Sequence, residues 1–381
     1  MKKVIVVGAG LSGATVARLY AEDGADVLVM DRRATLGGNV HDYVDKNGIT
    51  VQTYGPHIFH TNKRQVFDFL SRFTEWEKYE HKVLANLNGQ LVPVPFNLTG
   101  LYQLFPKEKA KRINDLLVAQ VGEGVKVPIL SLKSHENAEI REFAQFVYDN
   151  IFYKYTKKQW GMPPEALGEQ VMNRVPVYLS YEDRYFTDEF QYMPKNGFTA
   201  LVEKMLCHPN ITTKLCTDAS KAIALKDGKI YLDGRAFDGT VIYTGRIDEL
   251  FSYRFGALPY RSLKFKFITK NLTSYQPSAV VNYTTDKRFT RISEFTKFTC
   301  SPKNKTVIVK EFSRACGKKS EPYYPIPIEQ NLAQYAKYKI LANGYANLKL
   351  LGRLANYKYV NMDVAVEDAI ALHDNNPLIV E

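Results

Sequence analysis

The chain has 381 residues, enough for one large domain with insertions or for two or three smaller ones. Apolar residues make up 45% and charged residues 24%, an ordinary soluble globular composition. The net charge of +11 is scattered, with no run of five basic residues and no zinc-finger or RNA-binding signature, so it points to an anionic small molecule rather than nucleic acid.

Two further classes are not expected. Cys207, Cys216, Cys300 and Cys316 form no C-x-x-C pair and no His/Cys cluster, which argues against a metal site and fits free thiols in a reducing cytoplasm. No apolar run approaches the roughly 18 residues of a membrane span. Aromatic residues stand out instead, with 25 Tyr and 21 Phe against 2 Trp.

The first element, KVIVV at residues 3–7, is a continuous apolar run of the kind a buried parallel strand needs. Gly8, Gly10 and Gly13 follow as G-x-G-x-x-G, then a helical pattern through Ala14, Ala17, Leu19 and Tyr20 to Gly24. A second strand, Asp26 to Met30, ends at Asp31, 21 positions past Gly10. In a β–α–β unit of this spacing, Gly8 permits the tight turn, Gly10 admits a pyrophosphate, and Gly13 lets helix and strand pack closely. The phosphates rest on the helix N-terminus and Asp31 accepts from ribose hydroxyls. Asp31 disfavours a 2′-phosphate, whereas Arg32 and Arg33 could welcome one, so these three leave NADP open. Gly37-Gly38-Asn39, six residues past the acid, resembles the extended motif of glutathione-reductase-type flavoproteins, which favours FAD.

Beyond this unit, GPHIFHT (residues 55–61) precedes a helix over about 63–73 with Val66, Phe69, Leu70 and Phe73 on one side. His57 and His60 lack the spacing of a helical metal pair and read as pocket-lining hydrogen-bonders or as ordinary packing. Residues 76–99 read as a hairpin turning at Asn88-Gly89. From about 107 to 160 the pattern is helical: Ala110, Ile113, Leu117 and Val121 share one face, and so do Ile140, Phe143, Ala144, Val147 and Ile151. The period changes to two over 262–312, where Leu263, Phe265 and Phe267 alternate and AVVNYT, TRISEF and TVIVKEF follow, which predicts an antiparallel sheet. The C-terminal stretch reads as a strand, a Gly-Arg turn, an irregular aromatic segment and a helix beginning near Met362.

A dense aromatic–basic set occupies the middle and end of the chain: YTKKQWG, RVPV followed by YF, YRFGALPYRSLKF, TRISEF, EPYYP and GRLANYKY. With the N-terminal fingerprint and GPHIFHT, and in this order nearly end to end, these stretches resemble the UDP-galactopyranose mutase family of flavoenzymes. The resemblance implies an α/β (α+β multidomain) protein: a Rossmann-like FAD-binding domain from residues 1–76, 196–248 and 340–381, a helical insertion over 100–170 with a mobile loop, and an antiparallel β-sheet substrate domain from 77–99, 171–195 and 249–339.

The same resemblance implies roles for residues. Phe152, Tyr155, Gln159 and Trp160 match the patch that holds the nucleotide base. Arg174 matches a mobile-loop arginine that closes on the diphosphate, and Arg291 its fixed counterpart; these two are the candidate catalytic residues. Two arginine forks suit a diphosphate because each can engage two oxygens. Tyr185, Tyr324 and Tyr359 match phenols that hydrogen-bond the diphosphate, and Arg261 joins the substrate set. Gly8, Gly10, Gly13, Asp31, Arg32, Gly38, Asn39, His57, Gly352, Arg353, Asn361 and Met362 fall to the cofactor.

In this family the reduced flavin is itself the nucleophile, its N5 attacking the anomeric carbon. That accounts for the lack of a Ser/His/Asp triad, a catalytic Cys or paired carboxylates. The expected activity is interconversion of the pyranose and furanose forms of a nucleotide sugar, UDP-galactose first, with NAD(P)H as reductant, in a homodimer without membrane or nucleic-acid partner.

Departures cluster near the sugar site. The family's usual GRLAEYKYYDM is here GRLANYKYVNM, with Asn356, Val360 and Asn361 replacing Glu, Tyr and Asp. Tyr178 stands where arginine is common, and Arg246 where proline is usual. A dTDP-linked 6-deoxy sugar such as fucose, or a UDP-linked acetamido sugar such as N-acetylgalactosamine, would use a pocket rebuilt in this way. A flavin oxidoreductase of the amine-oxidase type and a nucleotide-sugar-binding protein without activity are the rival classes.

Overall fold

The computed structural model describes residues 2–167, 176–299, 304–317 and 320–377. Strand β1 (Lys3–Val7), helix α1 (Leu11–Glu22) and strand β2 (Asp26–Met30) form the expected unit. Val4, Ile5 and Val6 are at most 2% exposed, which is why this strand carries no polar alternation. It lies at the centre of a five-stranded parallel sheet in the order Ile211–Lys214, β2, β1, Thr240–Tyr243, Leu348–Leu350. The apolar face of α1 packs on this sheet and against the C-terminal helix Met362–Asp374. Dinucleotides bind at the carboxyl ends of such strands, where Val7 and Met30 lead into the glycine turn and Asp31.

A second sheet has seven mainly antiparallel strands. Its order is Tyr324–Pro325, Tyr260–Lys270, Thr306–Ala315, Arg291–Glu294, Val280–Tyr283, Val83–Leu87, Gln90–Val94. The last two are the predicted hairpin, and Asn88 and Gly89 both adopt positive φ (53° and 103°), as a tight two-residue turn requires. The hairpin joins the sheet through a parallel pairing of Val83–Leu87 with Val280–Tyr283, a long-range contact that local periodicity does not announce. A three-stranded sheet links the two halves, with strand β3 (Phe59–Thr61) pairing with Phe190–Pro194.

The helical region holds Lys107–Val121, with Ala110, Ile113 and Leu117 buried. Val121, expected on the same face, is 43% exposed because the helix stops there at Gly122. Ala138–Val147 buries Ile140, Phe143, Ala144 and Val147 as expected. It then runs through a π-turn, Tyr148–Tyr153, into helix α2 (Lys154–Trp160). One such turn inserts an extra residue and rotates everything beyond it. Phe152 and Tyr155 reach the cavity described below on that rotated face.

Candidate active site

The glycine turn lines a cavity bounded by Gly8, Gly10, Asp31, Gly38 and Asn39 on one side and by Thr244, Gly352 and Arg353 on the other. Two contacts show that the turn admits no side chain. A Cβ on Gly13 would lie 1.9 Å from the Gly8 carbonyl oxygen, and one on Gly38 would lie 2.8 Å from the Gly10 Cα. The chain after β2 therefore returns onto the glycine loop, with the Gly37 N–H donating to the Ala9 carbonyl at 3.0 Å. This is the double-glycine return expected of FAD, and the residues present fit that group.

Asp31 has a structural task as well. Its carboxylate accepts the Ala9 and Arg33 backbone N–H groups, each at 2.8 Å, while lining the cavity. A carboxylate has about four acceptor positions, so capacity remains for a ribose. Arg32 pairs with Glu249 at 3.2 Å and Arg33 with Glu321 at 2.8 Å. Both cations that the sequence offers to a 2′-phosphate thus face acids.

A second cavity of about 620 Å³ adjoins the first. Four residues line both: His57, Arg353, Asn361 and Met362. Arg291 lies in the wall of the second cavity with Phe152, Tyr155, Tyr185, Tyr324 and Tyr359. The Arg291 Nε donates to Glu311 Oε2 at 2.8 Å, and Glu311 is 1% exposed. Burial alone would pull the Arg291 guanidinium down, but Glu311 more than offsets it and the group ends above its usual value. Burial pushes the Tyr155 and Tyr324 phenols up, so both remain donors. Tyr324 and Tyr359 stack at 5.5 Å, and the Arg353 guanidinium sits 4.7 Å from the Tyr359 ring and 5.6 Å from that of Tyr324. Burial, reinforced by Arg353, lowers the His57 imidazole to about 4, and burial lowers that of His81 to about 3. Both rings are neutral at pH 7.

Three expected substrate residues, Arg261, Trp160 and Gln159, are not in the wall of either cavity. Arg261 is 7% exposed and donates to the Gln159 carbonyl (2.9 Å), the Lys158 carbonyl (3.4 Å) and Ser313 Oγ (2.9 Å). It clamps the carboxyl end of α2, where helix carbonyls are unpaired and partially negative, instead of reaching the cavity. Trp160 is 8% exposed and tilted against the cavity-lining Tyr324 at 6.1 Å. The Gln159 side-chain oxygen is buried without a hydrogen-bond partner among the described residues. Arg174 lies outside the described residues.

Of the departures, Arg246 pairs with the fully buried Asp248 at 2.6 Å and shapes the turn before Tyr260–Lys270, outside either cavity wall. Tyr178 sits under the Lys126 ammonium, 5.2 Å from its ring centroid. The Val360 carbonyl accepts from Arg353 at 2.7 Å.

Sequence reading missed Glu311, Asp188 and Lys158. Lys158 donates to the carbonyls of Tyr283, Thr285 (2.9 Å), Lys287 (3.1 Å) and Phe289 (3.3 Å), tying α2 to the loop that leads into Arg291. For Glu311 a signal existed, an acid inside a β-rich strand (TVIVKEF). For the other two none did.

A glycine cradle sharing one wall with a cavity of cations and phenols defines a dinucleotide-dependent enzyme of the Rossmann class. The sequence agrees: an NAD(P)-binding Rossmann-like domain matches residues 6–73, and the UDP-galactopyranose mutase family matches residues 150–359. The chain is 36% identical over 375 residues to the dTDP-fucopyranose mutase of Escherichia coli, covering 97% of each chain. It is 35% identical over 373 residues to the UDP-galactopyranose mutase of Mycoplasma genitalium, covering 95% of this chain and 92% of that one. The chain belongs to the UDP-galactopyranose mutase family. Among solved structures it resembles reduced UDP-galactopyranose mutase, with a TM-score of 0.74 at 18% identity over 98% of this chain and 93% of that one. Putrescine oxidase with bound putrescine shares the fold more distantly, at a TM-score of 0.61 and 12% identity over 98% of each chain.

Proposed function

We propose that the chain is an FAD-dependent mutase that interconverts the pyranose and furanose forms of a nucleotide-diphosphate sugar, with UDP-galactose as the first substrate. The observation that carries this reading is the common wall: His57, Arg353, Asn361 and Met362 face both the dinucleotide cavity and the cavity lined by Arg291 and the phenols. Reduced flavin, when bound, supplies an electron-rich nitrogen able to attack the anomeric carbon of the sugar.

The chain's own residues do the rest. Arg291, fixed by Glu311, offers a cation to the departing diphosphate, and Arg174 is the candidate for a second. The Tyr155 and Tyr324 phenols, kept protonated by burial, donate to diphosphate oxygens, with Tyr185 and Tyr359 beside them. Phe152 gives the nucleotide a flat apolar face. A positioned charge near a developing phosphate anion is worth a few kcal/mol of barrier, roughly 10²–10³ in rate. NAD(P)H serves as reductant to prime the cofactor, and each turnover consumes no net electrons. A homodimer is the expected assembly.

The E. coli relative's name keeps a dTDP-linked 6-deoxy sugar as the second substrate to test, with a UDP-linked acetamido sugar third. Dithionite-reduced protein is incubated with UDP-galactofuranose, dTDP-fucofuranose and the furanose form of UDP-N-acetylgalactosamine, and the pyranose products are separated by chromatography. Product from one of them supports the reading and names the sugar. No product from any, together with substrate-dependent oxygen uptake, would show an oxidoreductase instead.

A further inference from the structure

We propose that His60, held by Asp188, carries the ring proton of the sugar: it protonates the ring oxygen released on opening and takes the proton from the hydroxyl that closes the new ring. The proposal rests on the mutase reading above. Moving the ring closure from one sugar oxygen to another requires this transfer. The bond from C1 to the old ring oxygen breaks and that oxygen gains a proton from Nε2. The bond from C1 to the other oxygen then forms and its proton returns to Nε2. Protons balance over the cycle and no electrons move.

The geometry singles out His60. It lies on β3 and lines the second cavity. Its ring is stacked on Phe186 at 3.5 Å and 13°, and its Nδ1 is 3.1 Å from Asp188 Oδ2. The segment that carries Asp188 is itself anchored, because Gln191 Nε2 donates to the Asp188 and Phe186 carbonyls at 2.9 and 3.3 Å. The hydrogen bond from His60 holds the Asp188 carboxyl below its ordinary range. A carboxylate accepting at Nδ1 fixes the proton there and leaves Nε2 as the exchangeable pole, the arrangement that orients a general base. Among the described residues Nε2 has no hydrogen-bond partner. Thr61, the next residue on β3, donates to Asp363 at 3.2 Å, which sets this strand against the Asn361–Met362 wall that both cavities share.

The other titratable and charged groups around the cavity are less suited. His57 and His81 are held neutral by burial, with His57 Nδ1 against the Gly55 carbonyl and His81 Nδ1 3.3 Å from the Tyr79 hydroxyl. Arg291 and Arg353 cannot accept a proton. Lys126 is at the exposed rim, 3.2 Å from Thr187 Oγ1.

Two readouts on reduced holoenzyme test this. One is interconversion of the pyranose and furanose forms. The other is migration of a heavy-oxygen label from the bridging to the non-bridging positions of the substrate's phosphate, which reports cleavage at the anomeric carbon without ring opening. In His60→Gln, interconversion should fall by about 10²-fold or more while label migration stays near wild type. Asp188→Asn, which keeps the ring but not its anionic support, should lose about tenfold and shift the pH profile of kcat. It also supplies the test should His60→Gln fail to retain flavin. Wild-type interconversion in both variants overturns the proposal, as does an equal fall in both readouts, which would mark a binding or packing role. Absence of both reactions in the wild-type enzyme instead sinks the mutase reading itself.

Discussion

Arg291 and Glu311 stand directly opposite one another on adjacent antiparallel strands, 2.8 Å apart, with the carboxylate buried and the guanidinium open to the cavity. The acid faces the protein and the cation faces the substrate. The Arg291 Nε and one terminal nitrogen both lie 2.8 Å from Glu311, and the remaining donors can serve an anion. Arg291→Ala should therefore cut turnover by about 10² or more while FAD remains bound, and Arg174→Ala should do the same. Near-normal turnover in both variants would refute their assignment.

Glu311→Gln separates orientation from charge. It leaves a partly buried guanidinium without its counter-ion, a change that costs about 3 kcal/mol when a buried pair is broken. The denaturation midpoint should fall accordingly and kcat should drop by less than in Arg291→Ala. A variant as stable as wild type would mean that the pair contributes nothing to the strand register.

Lys158 offers a different kind of test. Its ammonium joins four backbone carbonyls of residues 283–289, so Lys158→Met leaves these acceptors unpaired in a half-buried loop. Losing such partners costs about 1–3 kcal/mol. The loop enters the strand of Arg291 and contains the cavity-lining Thr284. The expected result is a raised KM with kcat less affected and flavin content unchanged. Lys158→Arg should recover part of the loss, and an unchanged KM in Lys158→Met would show the tie to be ornamental.

How far the sequence carries the fold and the site follows from where each interaction lies. The β–α–β unit is legible because its strand, three glycines and acid are adjacent in sequence and each obeys a local rule. The hairpin is legible at Asn88-Gly89 for the same reason. Nothing in YRSLKF says which neighbour the Arg261 guanidinium meets; its bond to the Gln159 carbonyl exists only once α2 and the strands are packed together. Asp188 is 128 residues from His60, and Glu311 is 20 from Arg291, so both pairs exist only once strands are paired. Aromatic residues serve both packing and stacking, so the sequence does not announce that Trp160 is 8% exposed and set against Tyr324. The π-turn that rotates Phe152 and Tyr155 has no signal in the 3.6-residue period on either side of it.

His81 sets a pH dependence. It is 4% exposed, and burial lowers its imidazole to about 3 from an ordinary value near 6.5. Between these values the unfolded chain binds a proton that the folded chain does not, so stability falls as pH falls from about 6.5 toward 3. The full effect is roughly 5 kcal/mol, because each tenfold change in proton affinity is worth about 1.4 kcal/mol. Chemical denaturation at a series of pH values should show this slope, and His81→Phe, which keeps the packing against Phe186 and Phe298, should reduce it to the part set by His57. An equal slope in that variant would assign the acid sensitivity to other groups.

Gly13 provides a test of the cradle. A methyl group there would sit 1.9 Å from the Gly8 carbonyl oxygen and 3.3 Å from Val6 Cγ1. The nearer atom belongs to the backbone of the glycine turn and cannot swing aside as a side chain could. In Gly13→Ala, helix α1 must therefore move away from β1, and the N–H groups that would receive a pyrophosphate move with it. The expected protein lacks the visible absorbance of bound flavin and has a lowered thermal midpoint. Gly24→Ala is the control: nothing lies within 4 Å of the added carbon, but φ is +86°, so it should lose about 1 kcal/mol to backbone strain and keep its flavin. Gly13→Ala purified with a full complement of FAD would mean that the helix does not need this approach, and that the cofactor is held by other parts of the cavity.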